Sequence, residues 1–304
     1  MKKVLVILIA MLQLTAIAQQ DLIVSQYMFN GLFLNPAYAG THKYISSSLL
    51  HRTQWVNFDG APRTALLAAD GAIANKNMGL GLIVSNDRIG ATEQTDFTIN
   101  YAYMLKLGEG KLSLGLRAGM SNFMFKSNKL TVWDANDEVF ATKRVVWVPK
   151  FGSGLYYYTD KWYAGLSVPT LLAYDPEHTF GLDVNEASFL RRHYYLNGGY
   201  IFTLNEKFKL KPSALIKYEP SAPLQADINM NLLYNDAVWL GASYRTGDAV
   251  TFMVEYQTNF RFRVGYAYDM TTSKLRKYNA GTHEIMIGYD FGKDLVKIKT
   301  PRYF

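Results

Sequence analysis

Residues that could catalyse a reaction or hold a metal ion are few in this chain of 304 residues. The chain has no cysteine, so it can form neither a disulfide nor a thiolate metal site. Its histidines share no spacing that would bring two imidazoles to one metal ion; they are His42, His51, His178, His193 and His283. No glycine-rich phosphate loop and no Gly-x-Ser-x-Gly nucleophile elbow occurs in the sequence. The sequence therefore predicts no enzyme, no cofactor and no metal.

The most informative charged residues share one face of predicted strands with other polar residues; they are Arg117, Arg245, Arg261 and Arg263. Facing lipid at mid-depth, each arginine would cost about 2–4 kcal/mol, so we predict that all four face a lumen. One interpretation is an anion-selective pore, or a docking wall for an acidic segment. The other is a set of ion pairs across the lumen, with the carboxylates of Asp227, Glu255, Glu284 and Asp290.

A lumen of this kind would be enclosed by β-strands. The sequence predicts such strands because apolar and polar residues alternate in runs of about ten residues, the length of a tilted membrane strand. From Lys111 to Ser121, apolar residues alternate with serine, glycine and arginine. We predict about fourteen antiparallel strands that close into a transmembrane outer-membrane β-barrel over residues 44–292. They lie near 44–52, 63–73, 77–87, 93–105, 111–125, 147–158, 161–168, 193–203, 207–218, 223–234, 237–246, 249–257, 259–269 and 282–292.

The predicted connections alternate in length. Those after even-numbered strands are tight turns, whereas the long ones, 126–146, 169–192 and 270–281, follow odd-numbered strands. Outer-membrane barrels have short periplasmic turns and long external loops, so both chain ends would be periplasmic, including an extension at 293–304. Two long loops are rich in large apolar residues, at 170–174 with 189–190 and at 132–133 with 145–147. They predict either a packed cap over the barrel mouth or an exposed patch for a protein partner.

The first eighteen residues are typical of a secretory signal peptide. Lys2 and Lys3 precede an apolar run at 4–12, and Ala16-Ile17-Ala18 is an A-x-A cleavage site. Cleavage near Ala18 predicts export, and together with the barrel it predicts the outer membrane of a Gram-negative bacterium, in contact with its lipid. The net charge is +7, but lysine and arginine are scattered singly, which predicts no nucleic-acid partner.

The stretch from Ser25 to Gly40 reads SQYMFNGLFLNPAYAG and follows neither a helical nor a strand period. Pro36 excludes a central strand, yet the stretch is too apolar for a solvated tail. A barrel of about fourteen strands leaves space inside that is either water-filled or plugged. We therefore predict that residues 19–43 plug or line the lumen at the periplasmic mouth. The alternative is a simple lead-in that touches only the first hairpin.

The same stretch carries a motif that resembles the N-terminal signature of the PorP/SprF family of outer-membrane proteins in the Bacteroidetes type IX secretion system. The resembling pattern is Q-Y-x-x-N followed by N-P-A-x-A-G, then R-x-Q-W, and near the last strand G-T-H-E. Its residues here are Gln26, Tyr27, Asn30, Asn35, Pro36, Ala37, Gly40, Arg52, Gln54, Trp55, Gly281, His283 and Glu284. The resemblance covers both ends of the exported chain and implies structural or docking roles for these residues, with no catalytic residue among them.

What the resemblance implies for function is a barrel that works with the type IX machinery, as in secretion or gliding motility. Its expected partners are other secretion components, or one secreted surface protein, such as an adhesin, with a C-terminal domain of the second kind, type B. From the residues alone, a general diffusion porin is the alternative, and a barrel enzyme is a third class. The plug-like segment and the apolar loops favour the secretion-associated binding protein over an open pore.

Overall fold

The computed structural model describes residues 24–42, 44–74, 76–126, 144–173, 192–220 and 222–292. Within them the chain forms a single closed antiparallel sheet. Its strands are β1 Ile45–Thr53, β2 Arg63–Ala72, β3 Met78–Ile89, β4 Thr92–Leu107, β5 Gly110–Phe125, β6 Arg144–Tyr158, β7 Trp162–Ala173, β8 Tyr194–Tyr200, β9 Phe202–Thr203, β10 Phe208–Tyr218, β11 Gln225–Tyr234, β12 Val238–Arg245, β13 Ala249–Gln257, β14 Phe262–Thr271 and β15 Thr282–Phe291. In the described part of the chain, three short 3-10 turns accompany these strands, at Tyr27–Phe29, Pro36–Tyr38 and Lys274–Lys277.

The strand count agrees with the prediction. β8 and β9 both pair with β10 and are two parts of one strand, so the barrel has fourteen strands. Each strand pairs with the next, and β1 pairs with β15 from Ile45↔Phe291 to Thr53↔His283. This last pairing closes the sheet, so the strands leave no free edge and can pair their backbone groups within lipid. The predicted outer-membrane barrel is therefore confirmed.

Within the described residues, no helix is both long enough and apolar enough to cross a membrane.

Side-chain exposure follows the predicted alternation. On β5, Leu114, Leu116 and Met120 are exposed on the outer face, while Ser113 and Arg117 are buried on the inner one. The inner face is less polar than the sequence predicted, because several strands place large apolar side chains inside; they are Leu50, Leu66, Ile83, Leu215, Leu233, Trp239, Met253 and Met286. These residues belong to one buried cluster with apolar residues of the N-terminal segment, which explains why they can face inward.

The two ends of the barrel differ in their connections. At one end, the short-turn end, every connection has five residues or fewer; they are 73–77, 108–109, 159–161, 204–207, 235–237 and 258–261. The other end, the long-loop end, has the connections 54–62, 90–91, 126–143, 174–193, 219–224, 246–248 and 272–281. That the long-loop end faces the cell exterior stays a prediction.

Some predicted features lie elsewhere in the chain than expected. Residues 145–147 belong to β6, and residues 170–173 belong to β7, so these apolar residues are not in loops. β7 runs longer than predicted because its pairing with β6 continues past a register shift, with Leu172 opposite Phe151 and Ala173 opposite Lys150. The rest of the two apolar loops lies outside the described residues, as do the predicted signal peptide at 1–18 and the extension at 293–304.

Candidate functional site

The N-terminal segment, residues 24–42, is folded and almost entirely buried. Its two 3-10 turns are set by local sequence. Asn35 caps the second turn, because its side-chain Oδ1 accepts a hydrogen bond from the Ala37 N–H at 2.9 Å. Pro36 occupies the first position of that turn, where its missing N–H leaves no donor unsatisfied. The irregular sequence therefore gives a compact coil rather than an extended arm.

The segment contacts inward-facing residues from one end of the barrel to the other. Ser25 meets Glu284 near the long-loop end, where its backbone N–H donates to Glu284 Oε2 at 2.8 Å. In the middle, the Asn30 amide donates to Ser48 Oγ at 2.6 Å. At its far end, the backbone N–H of Gly40 donates to Asp70 Oδ2 at 3.0 Å, close to the short-turn end.

A buried ion cluster holds the start of the segment. Arg52 donates from Nη2 to Asp269 Oδ2 at 2.7 Å and from Nη1 to Glu284 Oε2 at 3.0 Å. The same Nη1 donates to Ser25 Oγ at 2.8 Å, and Ser25 Oγ in turn donates to Asp269 at 2.8 Å. The Gln26 N–H donates to Glu284 Oε1 at 2.8 Å. One cation and two carboxylates thus join three strands to two residues of the segment.

Glycines on the barrel wall let backbone and side-chain atoms of the segment approach very closely. A Cβ atom added to Gly115 would lie 2.1 Å from the Ala37 backbone nitrogen. One added to Gly154 would lie 2.1 Å from Asn35 Oδ1, and one added to Gly265 would lie 2.2 Å from Gln26 Oε1. No side chain fits at these points, so the inward glycines form the surface on which the segment rests.

Aromatic and amide contacts fix the rest of the segment. Phe29 packs on Trp239 with ring centroids 6.1 Å apart, and Tyr38 packs edge-on against Tyr156 at 5.7 Å. The Asn229 amide donates to the Tyr27 hydroxyl at 2.7 Å. Burial raises the pKa of Tyr27 well above its ordinary value, and the negative charge of Asp227 adds to the effect. Tyr27 therefore remains a neutral phenol, so it adds no charge to the interior.

Three of the four predicted lumen arginines face inward and have partners. Arg245 pairs with Asp227 at 3.1 Å, and Arg263 pairs with Asp290 at 3.4 Å. Arg117 instead contacts the segment, because its Nη2 donates to the Leu32 carbonyl oxygen at 2.7 Å. These contacts favour the ion-pair interpretation over a wall of unpaired cations.

The prediction for Arg261 is wrong, because this residue lies in the turn 258–261 rather than within a strand. Its φ is +70°, and its guanidinium donates to the Gly292 carbonyl at the short-turn end. Two hydrogen bonds close this turn: the Phe262 N–H donates to Thr258 Oγ1, and the Thr258 N–H donates to the Phe262 carbonyl oxygen. Strand β14 therefore begins at Phe262, one residue after Arg261. Strand parity therefore could not be extended to Arg261.

The remaining motif residues lie around the long-loop ends of β1 and β15. In the β1–β2 connection, the Gln54 N–H donates to the Pro62 carbonyl, and the Trp55 N–H donates to Thr282 Oγ1 at 3.1 Å. Gly281 has a φ of +90° just before β15, a conformation that favours glycine. His283 faces outward and makes a hydrogen bond with the Tyr266 hydroxyl at 2.7 Å. Motif residues from both ends of the sequence thus come together in space.

The structure adds two residues that the sequence reasoning did not select, Ser25 and Asp269. Asp269 lies on β14 with the same parity as Arg263, so the alternation already placed it on the inner face. Its partnership with Arg52 could not be predicted, since the two residues are 217 positions apart in the chain. Among the described residues, no group of three or more histidine, aspartate or glutamate side chains could hold a metal ion.

Replacing Asn35 by aspartate is expected to destabilise the protein by about 1–3 kcal/mol. The Asn35 amide donates to the carbonyl oxygens of Leu155 at 2.8 Å and Leu166 at 3.4 Å, and a carboxylate would lose both donors and face two oxygens. Thermal unfolding of the detergent-solubilised barrel measures the change. Asn205→Asp is the matched control, because its Oδ1 only accepts from the Lys207 and Phe208 N–H groups. Equal midpoints for the two variants would contradict this role of Asn35.

Comparisons with known proteins give one family match and several similar solved structures. The family model described as Type IX secretion system membrane protein PorP/SprF matches residues 16–289. Among solved structures, Omp33 of Acinetobacter baumannii has a TM-score of 0.47 at 8% identity, covering 84% of this chain and 100% of its own. A Pseudomonas aeruginosa FadL homologue has a TM-score of 0.45 at 10% identity, covering 86% and 94%. The KdgM porin has a TM-score of 0.41 at 13% identity, covering 81% and 99%. No curated protein matches the chain.

Proposed function

Because the chain belongs to the PorP/SprF family of type IX secretion system membrane proteins, we propose that it binds or anchors a secreted surface protein at the outer membrane. The expected partner is an adhesin-like protein with a type B C-terminal domain, held at the cell surface with or without other secretion components. The long-loop end would face the exterior and receive this partner. The motif residues would hold the N-terminal segment and the long-loop end in a fixed shape for docking.

The observation that carries this proposal is the burial of the N-terminal segment against the inner wall. The segment bonds to β1, β2, β14 and β15 on one side and to β5, β6 and β7 on the other. We infer that it acts as a plug. A general diffusion porin needs an open aqueous path, so a filled interior favours docking at the rim over diffusion through the lumen.

Affinity purification of the tagged barrel from outer membranes tests the proposal. Because the chain has no cysteine, single cysteines can report which end is in contact. Tyr278→Cys lies at the long-loop end and Phe260→Cys at the short-turn end, and the two side chains are 67% and 81% exposed. We expect a secreted protein to be recovered and to cross-link through Tyr278→Cys but not through Phe260→Cys. Recovery of neither a secreted protein nor a type IX component would overturn the proposal.

Deleting residues 24–40 is expected to convert a nearly non-conducting barrel into one with a measurable channel, because the deletion removes the side chains that fill the interior. Single-channel recording in planar bilayers measures the change. Asn205→Asp at the short-turn end is a control that leaves the interior untouched. Equal conductance before and after deletion, with both proteins folded, would contradict the plug.

A further inference from the structure

Two arginines stand directly opposite each other on the outer face of the barrel, at the long-loop end. Arg63 begins β2, Arg88 lies near the end of β3, and the two are cross-strand partners. Both are exposed and both follow the outward parity of their strands. Directly opposed residues in an antiparallel pair have Cβ atoms about 4.5–5.5 Å apart, and like charges at that distance destabilise the pair.

No protein acceptor described in the structure relieves this repulsion. Neither guanidinium has a hydrogen bond or salt bridge with any of the described residues. Arg88 has one acidic cross-strand partner, Glu93 on β4, which attracts it electrostatically. The Glu93 carboxylate is already paired with Lys126 and accepts from the Asn86 amide at 3.1 Å. Two cations, Lys126 and Arg88, therefore share one carboxylate. Arg63, whose β1 partner is the neutral Thr53, has no acidic neighbour among its paired residues.

Arg63 and Arg88 lie next to the apolar band on the outer face of the barrel, and this position shows which part of the membrane surrounds them. One cross-strand pair below, Ala65 is opposite Asn86, and the next outward pair is Leu67 with Val84. Leu67 and the neighbouring Phe97 of β4 are exposed, as expected of a surface covered by lipid chains. The arginines thus lie at the edge of the apolar band, where the headgroups of the membrane lipids begin.

From these observations we infer that Arg63 and Arg88 form a binding site for the phosphate group of a membrane lipid. A guanidinium binds phosphate through two parallel hydrogen bonds, and one phosphate between two guanidinium groups would replace their repulsion with attraction. The lipid tails would lie along the apolar band below, over Leu67 and Val84. This site is on the outer wall, outside the barrel interior, and it does not rest on the docking proposed above.

The test uses the detergent-solubilised full chain and a short-chain phosphatidic acid, with the thermal midpoint as the readout of binding. The variant is Arg63→Gln with Arg88→Gln. The matched control is Lys106→Gln with Lys111→Gln, another opposed like-charge pair, located beside the tight turn at the short-turn end. Both double variants remove two positive charges from exposed cross-strand partners; the arginines have outward parity, whereas the lysines have inward parity and lie at the rim of the short-turn end, away from the apolar band. Inorganic phosphate at the same concentration distinguishes a lipid site from a site for the free ion.

We expect phosphatidic acid to raise the midpoint of the wild type and of the lysine control, and the arginine variant to bind it about tenfold or more weakly. Without lipid, the arginine variant should be at least as stable as the wild type, since the repulsion is gone. An equal lipid-induced shift in the arginine variant would overturn the inference. So would an equal shift of the wild type with inorganic phosphate alone.

Discussion

Replacing Arg52 by alanine is expected to destabilise the barrel by about 3–5 kcal/mol, because it removes the one cation from a buried ion cluster. Asp269 and Glu284 would then be buried carboxylates without their paired cation, and only the neutral donors Ser25, Gln26 and Thr251 would remain. Arg52 is only 3% exposed, so water cannot take over its role. Equilibrium unfolding in urea, from lipid vesicles, measures the free energy of unfolding.

The control for Arg52 is an ion pair of the same kind at the surface. Lys209 Nζ lies 2.6 Å from Asp236 Oδ1 at the short-turn end, where the two side chains are 14% and 45% exposed, against 3% and 4% for Arg52 and Asp269. Lys209→Ala should therefore change the stability by no more than about 1 kcal/mol. Arg52→Lys should fall between the two, since a lysine keeps the charge but cannot donate to Asp269, Glu284 and Ser25 in one fixed fork. Similar losses for Arg52→Ala and Lys209→Ala would show that the cluster does not hold the segment.

Gly115→Ala is expected to be the most disruptive of the small substitutions, with a loss of about 1–3 kcal/mol or more. The new methyl group would lie 2.1 Å from the Ala37 nitrogen and 2.4 Å from the Ala37 Cα, so either the wall or the segment must move. Because backbone atoms oppose it, no side-chain rotation can relieve the clash. The midpoint of thermal unfolding and the protease sensitivity of the segment report the two outcomes.

Two further variants test whether the effect of Gly115→Ala comes from its contact with the N-terminal segment. They are Gly198→Ala, and Gly115→Ala in a chain that lacks residues 24–40. At Gly198 the added methyl group has its nearest neighbour, the Tyr163 carbonyl oxygen, at 3.2 Å, which a small shift can accommodate. This variant should be close to neutral, since alanine also restricts the unfolded chain. In a chain lacking residues 24–40, Gly115→Ala should become neutral as well, because the atoms it clashes with are gone. A loss that persists in the deletion would assign the effect to the barrel wall alone.

The sequence predicted the strands well because each strand has lipid on one face and the barrel interior on the other. Apolar side chains face lipid and polar ones face inward, so the period of two is visible in a single sequence, as in β5 and β14. The positions of Arg117, Arg245 and Arg263 followed from this parity alone. Arg261 did not, because parity holds only within a strand and a turn resets the direction of the side chain.

The alternation within a strand does not show which inward-facing residues contact each other. Leu233, Trp239 and Met253 face inward against the expected polarity, because the N-terminal segment supplies an apolar surface for them. From the sequence alone, glycines such as Gly115 are predicted only to be small residues facing the lumen. The structure shows that the N-terminal segment rests on them. The alternation also gives no distance between motif residues far apart in the sequence, and only the structure shows that Gln26 and Arg52 both contact Glu284.

The sequence by itself determined the closed antiparallel barrel, its strand boundaries to within a few residues, and the face of most side chains, since these follow from local alternation between lipid and interior. Only the tertiary structure decided that Arg52, Asp269 and Glu284 form one cluster around Ser25, and that Arg63 opposes Arg88 on the outer wall. Those contacts depend on the register between strands and on the curvature of the closed sheet. Neither quantity is encoded in the alternation of any single strand, because the register of β2 with β3 is set at the turn between them and the Arg52 cluster forms only when the last strand pairs with the first.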